Sequence, residues 1–128
     1  MKPTFMAPIF LFLSTVIWLG AAAGTWIDKV PPQERQKANP YRGQVEAIQA
    51  GQLLFHEHCS SCHGVNAEGN KKHPSLRSAR IQSEATEGDL HWLLVNGDLR
   101  HGMPSWSKLP DPQLWQIVSY LKSLKPIN

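Results

Sequence analysis

The chain has 128 residues, with 13 Lys or Arg against 10 Asp or Glu and a formal net charge of +3 at pH 7. This length predicts a single domain with a small core, and the charge is too evenly balanced to favour nucleic-acid binding. Only two cysteines are present, which argues against a zinc site held by several thiolates.

The N-terminal segment is long and apolar. Residues 3–27 contain no charged side chain, and residues 9–19 are strongly apolar behind Lys2. One alternative is a secretory signal peptide with the alanines at 21–23 as the cleavage site. The other, slightly favoured, is a retained membrane anchor, since 25 uncharged residues exceed the ~20 needed to cross a bilayer. Either one exports the rest of the chain, so we expect a bacterial periplasmic location, with or without a tether to the inner membrane.

A polar segment follows at residues 28–43, with prolines at positions 31, 32 and 40 and no apolar periodicity. Proline without a hydrophobic face is typical of an extended, semi-stiff spacer, and a disordered mature N-terminus fits equally well. The chain is therefore divided into a leader or anchor at 1–27, a linker at 28–43 and a folded domain at 44–128.

Residues 44–58 have the pattern of an amphipathic helix. Ile48, Gly51, Leu54 and Phe55 fall at spacings of three and four on one face. A glycine inside a helix costs about 1 kcal/mol relative to alanine. We therefore expect Gly51 to have a packing purpose, which is to let a second helix approach closely.

The partner expected for this helix lies near the end of the chain. Asp111 can cap it, Pro112 suits its first position, and the helix ends before Pro126. A further helix is predicted between Thr86 and Gly97, where a capping pattern precedes a short apolar face. The apolar stripe of the last helix consists of Leu114, Ile117, Val118, Leu121 and Leu124.

The chemistry of the chain is concentrated at Cys59, Cys62 and His63. Two thiols three positions apart, followed at once by an imidazole, match the attachment pattern of c-type haem. In that pattern the cysteines bond to the porphyrin and the histidine ligates the iron. A redox dithiol would need a βαβ context, which the sequence lacks. We therefore expect one covalently bound haem c with His63 as an iron ligand.

Other residues extend this motif over about residues 44–124. They are Gly51, Leu54, Phe55, Gly64, Met103, Pro104, Tyr120 and Leu121. In this combination with the cysteine motif, the chain resembles the class I, mitochondrial-type cytochrome c family. The resemblance implies an all-α small cytochrome c fold around one haem. Its first and last helices are expected to cross near Gly51 and Tyr120.

The resemblance also implies roles for residues that follow the cysteine motif. The carbonyl of Pro74 would accept a hydrogen bond from the second ring nitrogen of His63, which orients the ligand and makes it more basic. Leu76 would pack on the haem. His73 stands where the family usually has a glycine, so the local turn is expected to differ.

Met103 lies about where the family places its second iron ligand. It is the only methionine beyond the leader, and it sits between Gly102 and Pro104 in a turn and not on a helical apolar face. We expect His63 and Met103 to be the two axial ligands. The alternatives for the second position are His101, His91 and His73.

Two axial ligands from the protein would leave no open position for a substrate, so the expected function is electron transfer and not catalysis. The expected partners are redox proteins, one donor and one acceptor, with no nucleic acid and no small-molecule substrate. An alternative is a tethered haem subunit of a periplasmic dehydrogenase or a terminal oxidase, because a tether raises the effective concentration near one partner. A haem peroxidase or gas sensor, in which Met103 dissociates, is the third alternative.

Overall fold

The computed structural model describes Met1 and residues 25–127. Across these residues the chain is helical, and the only extended pairing is an isolated bridge between Asp98 and Met103. The predicted all-α fold class is confirmed. The helices are, in chain order, a 3-10 turn at Trp26–Lys29, α1 at Pro32–Arg35, α2 at Val45–His58, α3 at Ser60–His63, a π-helical turn at Arg80–Glu84, α4 at Glu87–Asn96, a 3-10 turn at Leu99–His101 and α5 at Asp111–Ser123.

The predicted leader or anchor falls mostly on residues 2–24, which lie outside the described residues. Its two alternatives therefore stay predictions. Within the part of the chain that the structure describes, no helix combines the length and the apolar character that crossing a membrane requires.

Helices α2 and α5 cross at a glycine. A Cβ atom on Gly51 would stand 1.9 Å from the carbonyl oxygen of Gln116 and 3.0 Å from the Cβ of Tyr120. Any larger residue would force the two helices apart. The rings of Phe55 and Tyr120 also meet, with 5.3 Å between their centroids. The close approach predicted from Gly51 is confirmed, and so is the crossing near Tyr120.

Helix α5 is the centre of the core. Its Ile117 and Val118 are at most 1% exposed, and Phe55 of α2 is fully buried against the same cluster. Leu90 and Leu94 add the inner face of α4. These side chains supply the apolar burial that stabilises a domain of this size.

The capping residues of α4 and α5 are those expected from the sequence, except that the start of α5 is shifted by one residue. Thr86 and Asp89 form a reciprocal capping box at the start of α4, with each side chain accepting the other residue's backbone N–H. Helix α5 begins one residue earlier than expected, because Pro110 occupies the cap and Asp111 the first helical position. Pro112 is then the second helical residue, where its missing N–H is still one that the helix leaves unpaired.

Residues 25–43, here called the N-terminal strap, differ from the extended spacer expected for residues 28–43. The strap forms two short helical turns and packs on the domain. Val30 and Asn39 are buried, at 8% and 5% exposure. The Asn39 amide donates to the carbonyl oxygen of Trp115 at 3.2 Å and to Oγ of Ser119 at 2.8 Å. Because only isolated residues of the strap are buried, its sequence shows no apolar periodicity. The domain boundary at residue 44 stays a prediction.

The segment expected to be a polar loop at 64–83 ends in the π-helical turn Arg80–Glu84, which α5 holds in place. Lys122 donates its ammonium hydrogens to the carbonyl oxygens of Ile81, Gln82 and Ala85, at 3.0, 3.1 and 2.7 Å. One lysine thereby pairs with two carbonyls of the wide turn and with that of the residue that follows it. Spacing in the sequence gave no sign of this long-range contact.

Candidate haem site

A cavity of about 320 Å³ lies where α3 meets the loops on either side of α4. Sites of roughly 300–1,000 Å³ can bury most of a drug-sized ligand. All six site residues named from the sequence line this cavity, so the fold brings together positions separated by up to 44 residues. They are Cys59, Cys62, His63, Pro74, Leu76 and Met103.

Helix α3 places the cysteine motif on the cavity. The backbone leaves the α-helical conformation at Cys59, which has φ −122° and ψ −28°, and resumes it at Ser60. The amide of His63 then donates to the carbonyl of Cys59 at 2.9 Å, and Gly64 ends the turn at φ +84°. Both thiols are free. A single turn of helix therefore presents two sulfurs and one imidazole to the same space.

The imidazole of His63 is tied by one of its nitrogens. Its Nδ1 lies 3.1 Å from the carbonyl oxygen of Pro74, the contact that the resemblance implies. Since a carbonyl can only accept, Nδ1 carries the proton and Nε2 is left with a free lone pair. Burial lowers the pKa of His63, against the hydrogen bond to Pro74 that raises it. The lowered pKa favours the neutral form that a metal ligand needs.

Asn70 holds the segment in which His73 replaces the usual glycine. Its side-chain oxygen accepts from the amides of Lys72 and His73, at 2.8 and 3.0 Å. Its amide nitrogen donates to the carbonyl of Cys62 at 3.1 Å. Asn70 therefore joins the Pro74 loop directly to the cysteine motif. Sequence reasoning missed this residue, although asparagine in a polar loop is a common turn-forming signal.

Met103 is presented by a short paired loop. The amide and carbonyl of Asp98 pair with those of Met103, at 2.9 and 3.1 Å. Gly97 precedes this pair at φ +69°, and a Cβ there would lie 2.8 Å from the carbonyl oxygen of Met103 and 2.6 Å from the amide of Ser105. Only glycine fits that position without displacing the backbone that carries Met103.

The alternative ligands stand in different surroundings. His101 lines the cavity but is mostly exposed, and its Nδ1 lies 2.7 Å from a carboxylate oxygen of Asp98. His73 also lines it, beside the ring of His63. His91 does not line the cavity. It is buried in a stack on Trp115, 4.0 Å between ring centroids, and is bonded to Asp111.

Two aromatic side chains complete the wall of the cavity, Trp26 of the strap and Trp106. Trp106 is also 5.3 Å from the ring of His58, measured between centroids. Sequence reasoning placed Trp26 at the end of the leader and did not foresee it at the site. No local pattern marks it, because its position depends on how the strap folds back.

The donor set fits haem c. Burial, with a smaller contribution from the neighbouring Cys62, raises the pKa of the Cys59 thiol to about 11. A thiol that holds its proton at neutral pH is poorly suited to ligate a metal as a thiolate, whereas covalent attachment consumes the thiol as a thioether. The neutral imidazole and the methionine sulfur that line the same cavity are the ligand types that cytochromes c offer to iron.

Comparison with known proteins establishes the family. Residues 46–121 match the family described as cytochrome c oxidase, cbb3-type, subunit III. Cytochrome c550 of Pseudomonas aeruginosa is 31% identical over 103 residues, which cover 72% of this chain and 68% of that relative. The chain belongs to the c-type cytochromes, as a single-haem class I member. It accordingly binds haem c covalently and acts as an electron carrier.

Longer proteins match over part of their length. The cbb3-type cytochrome c oxidase subunit FixP of Sinorhizobium medicae is 26% identical, over 76% of this chain but 37% of its own length. Quinohemoprotein alcohol dehydrogenase ADH IIB of Pseudomonas putida is 30% identical, over 73% of this chain and 13% of its own length. The crystal structure of cytochrome CL from Methylophaga aminisulfidivorans MPT superposes with a TM-score of 0.58 at 30% identity, covering 67% of this chain and 58% of that one.

Proposed function

We propose that His63 and Met103 are the two axial ligands of the haem iron, and that the protein passes single electrons between two redox proteins. The observation that carries this proposal is the convergence of both side chains on the cavity that also holds Cys59 and Cys62. Haem c supplies the one-electron couple of its iron. With both axial positions filled by the chain, no site is left for a substrate.

The chain's own residues would hold the ligands in place and set their donor strength. The Pro74 carbonyl fixes the orientation of the His63 ring and makes Nε2 more basic. Met103 offers a soft thioether, which favours ferrous iron and raises the reduction potential relative to a second imidazole. Leu76 and Leu93 line the same cavity, where their apolar side chains would exclude water from the haem.

Replacing Met103 with Ala tests the ligand assignment. The ferric protein should lose the weak red absorption band of thioether-bound haem, gain a high-spin component and bind CO when reduced. Its reduction potential should fall, because the soft sulfur donor is gone. His101→Ala is the matched control and should keep the spectrum and the potential. An unchanged Met103→Ala spectrum, or a His101→Ala protein that shows these losses, would remove Met103 from the site.

The partners belong to the general class of redox proteins. We propose that they are one donor and one acceptor, located on the outer side of a bacterial inner membrane. The uncharged segment at residues 3–27 supports export. Fractionation of cells that express the full chain tests this location. Haem-stained protein should appear in the periplasmic or membrane fraction, and recovery only from the cytoplasm would contradict export.

A second candidate is a haem subunit fixed to one larger enzyme. It is favoured by the similarity to FixP and to ADH IIB, both of which match over a minor part of their length. Purification from the native membrane at low salt distinguishes the two candidates. A carrier should elute alone as a small protein, whereas a subunit should co-purify in fixed ratio with a dehydrogenase or an oxidase.

A further inference from the structure

The strap lies outside the segment that matches the family, yet it reaches the redox site. The family match covers residues 46–121, whereas the strap spans 25–43. Its first turn is closed by a capping box, in which the Thr25 amide donates to the Asp28 carboxylate at 2.6 Å. This turn carries Trp26, which is half-buried, packs against the core and lines the haem cavity.

Three contacts fasten the strap to the domain at points far from Trp26. Asn39, buried to 5% exposure, donates to the backbone and side chain of α5. The guanidinium of Arg35 lies 3.4 Å from a carboxylate oxygen of Asp89, a residue that is fully buried. The hydroxyl of Thr86 donates to the carbonyl of Arg35 at 2.9 Å. Such contacts bury polar groups that a free spacer would leave in water.

The closest of the strap's contacts requires a glycine. A Cβ on Gly88 in the first turn of α4 would lie 2.0 Å from the carbonyl oxygen of Glu34 and 3.0 Å from that of Arg35. The strap backbone therefore rests directly on the backbone of α4. Because Gly88 does not line the cavity, a substitution there acts on the strap and not on the haem wall.

The geometry points to a positioning role for the strap: it holds Trp26 as a wall of the haem cavity, excludes water from the haem and raises its reduction potential. This inference rests on the proposed function. Oxidation of the iron adds one positive charge to the site, and a drier environment disfavours the more highly charged form. Solvent exposure is one of the properties that set the potential of a haem or cluster protein. The strap thus acts on the redox equilibrium without supplying a ligand.

The first test measures the reduction potential of the holoprotein by equilibrium titration. Trp26→Ala should lower the potential, and Trp26→Phe should restore most of it, because a phenyl ring still covers the cavity. Gln33→Ala is the control, since Gln33 is an exposed and uncharged strap residue. A Trp26→Ala potential equal to that of the wild type and of Gln33→Ala would overturn the inference.

The second test separates the strap from the side chain it carries. Gly88→Ala should displace the strap, which speeds tryptic cleavage at Lys29, Arg35 and Lys37 and lowers the potential in the same direction as Trp26→Ala. The double variant should show no further fall, because both changes remove the same wall. Rapid cleavage with an unchanged potential would contradict the inference.

The ligand spectrum distinguishes failure of this inference from failure of the proposed function. The low-spin ferric spectrum with its thioether band should persist in Trp26→Ala and Gly88→Ala, because neither residue ligates the iron. A wild-type protein without that band would sink the proposed ligation. If the thioether band is normal and the reduction potentials of both variants equal that of the wild type, only the role of the strap is overturned.

Discussion

Single polar side chains hold the loop and the strap that surround this site. Asn70 links the Pro74 loop to the carbonyl of Cys62, and Asn39 fastens the strap to α5. Each ties a loop or the strap to a helix through hydrogen bonds to backbone or hydroxyl groups. The partners of these contacts do not follow from residue type or spacing, because an exposed polar loop residue can hydrogen-bond to water equally well.

Lys122 is the single side chain whose long-range hydrogen bonds give the most direct test of this kind of contact. Lys122→Met keeps the apolar stem but removes the donor shared by the carbonyls of Ile81, Gln82 and Ala85. We expect the free energy of unfolding to fall by about 1–3 kcal/mol, measured by guanidinium denaturation of the holoprotein. Lys125→Met is the control, because Lys125 is exposed. Equal midpoints for the two variants would contradict the role given to Lys122.

Tyr120 gives a pH dependence with a definite sign. Burial raises its pKa above the ordinary value of 10.0, although Arg77 acts in the opposite direction. Between pH 10.0 and the raised pKa the unfolded chain has lost this proton and the folded one keeps it. Stability is therefore complete below pH 10 and declines as pH rises through the raised pKa.

The variant Tyr120→Phe should show a smaller loss of unfolding free energy between about pH 9 and 11, because its ring has no proton to release. Denaturant titrations of both proteins at each pH measure this difference. Parallel losses in the two proteins would show that Tyr120 ionises alike in the folded and unfolded states.

At the scale of elements, the two loops that carry the ligand apparatus are built alike. Gly69, at φ +73°, lies against the backbone of residues 73–75, and Gly97, at φ +69°, lies against that of residues 103–105. At the point of contact both loops contain a Pro-Ser pair, at positions 74–75 and 104–105. The first presents the Pro74 carbonyl to His63 and the second presents Met103. Both depend on a glycine conformation that other residues avoid.

Gly97→Ala should therefore disturb Met103 without touching its side chain. A Cβ would lie 2.6–2.8 Å from the backbone of residues 103–105, so the loop must shift. We expect the thioether band of the ferric protein to weaken and CO binding to the reduced protein to become measurable. Gly43→Ala is the control, because Gly43 has φ +77° but nothing within 4 Å. Equal CO binding by both variants would contradict the role given to the contact between Gly97 and the Met103 loop.

At the scale of the whole molecule, periodic and motif signals predicted the framework well. The sequence predicted the apolar stripe on α5 and the glycine at the helix crossing, because helices repeat their core positions. It also predicted the haem-attachment motif of Cys59, Cys62 and His63, because haem attachment fixes the spacing of these residues. The packing of the strap could not be predicted from the sequence. Its contacts are isolated, at Val30 and Asn39, and a proline-containing polar segment has the same composition whether it packs or remains extended.

The folded strap also changes how the molecule is organised around its cofactor. Because Trp26 lines the cavity, the chain enters the domain beside the haem site. A spacer was expected to separate the leader from the domain, whereas the structure joins residues 25–43 to α4 and α5.

The most direct test of the central claim is the absorption spectrum of the purified holoprotein, oxidised and reduced, with and without CO. Ligation by His63 and Met103 predicts a low-spin c-type spectrum, a weak red band from thioether-bound ferric haem, and no change when CO is added to the reduced protein. A high-spin component in the ferric protein, or ready CO binding by the ferrous one, would mean that the sixth position is open and would contradict the electron-carrier account.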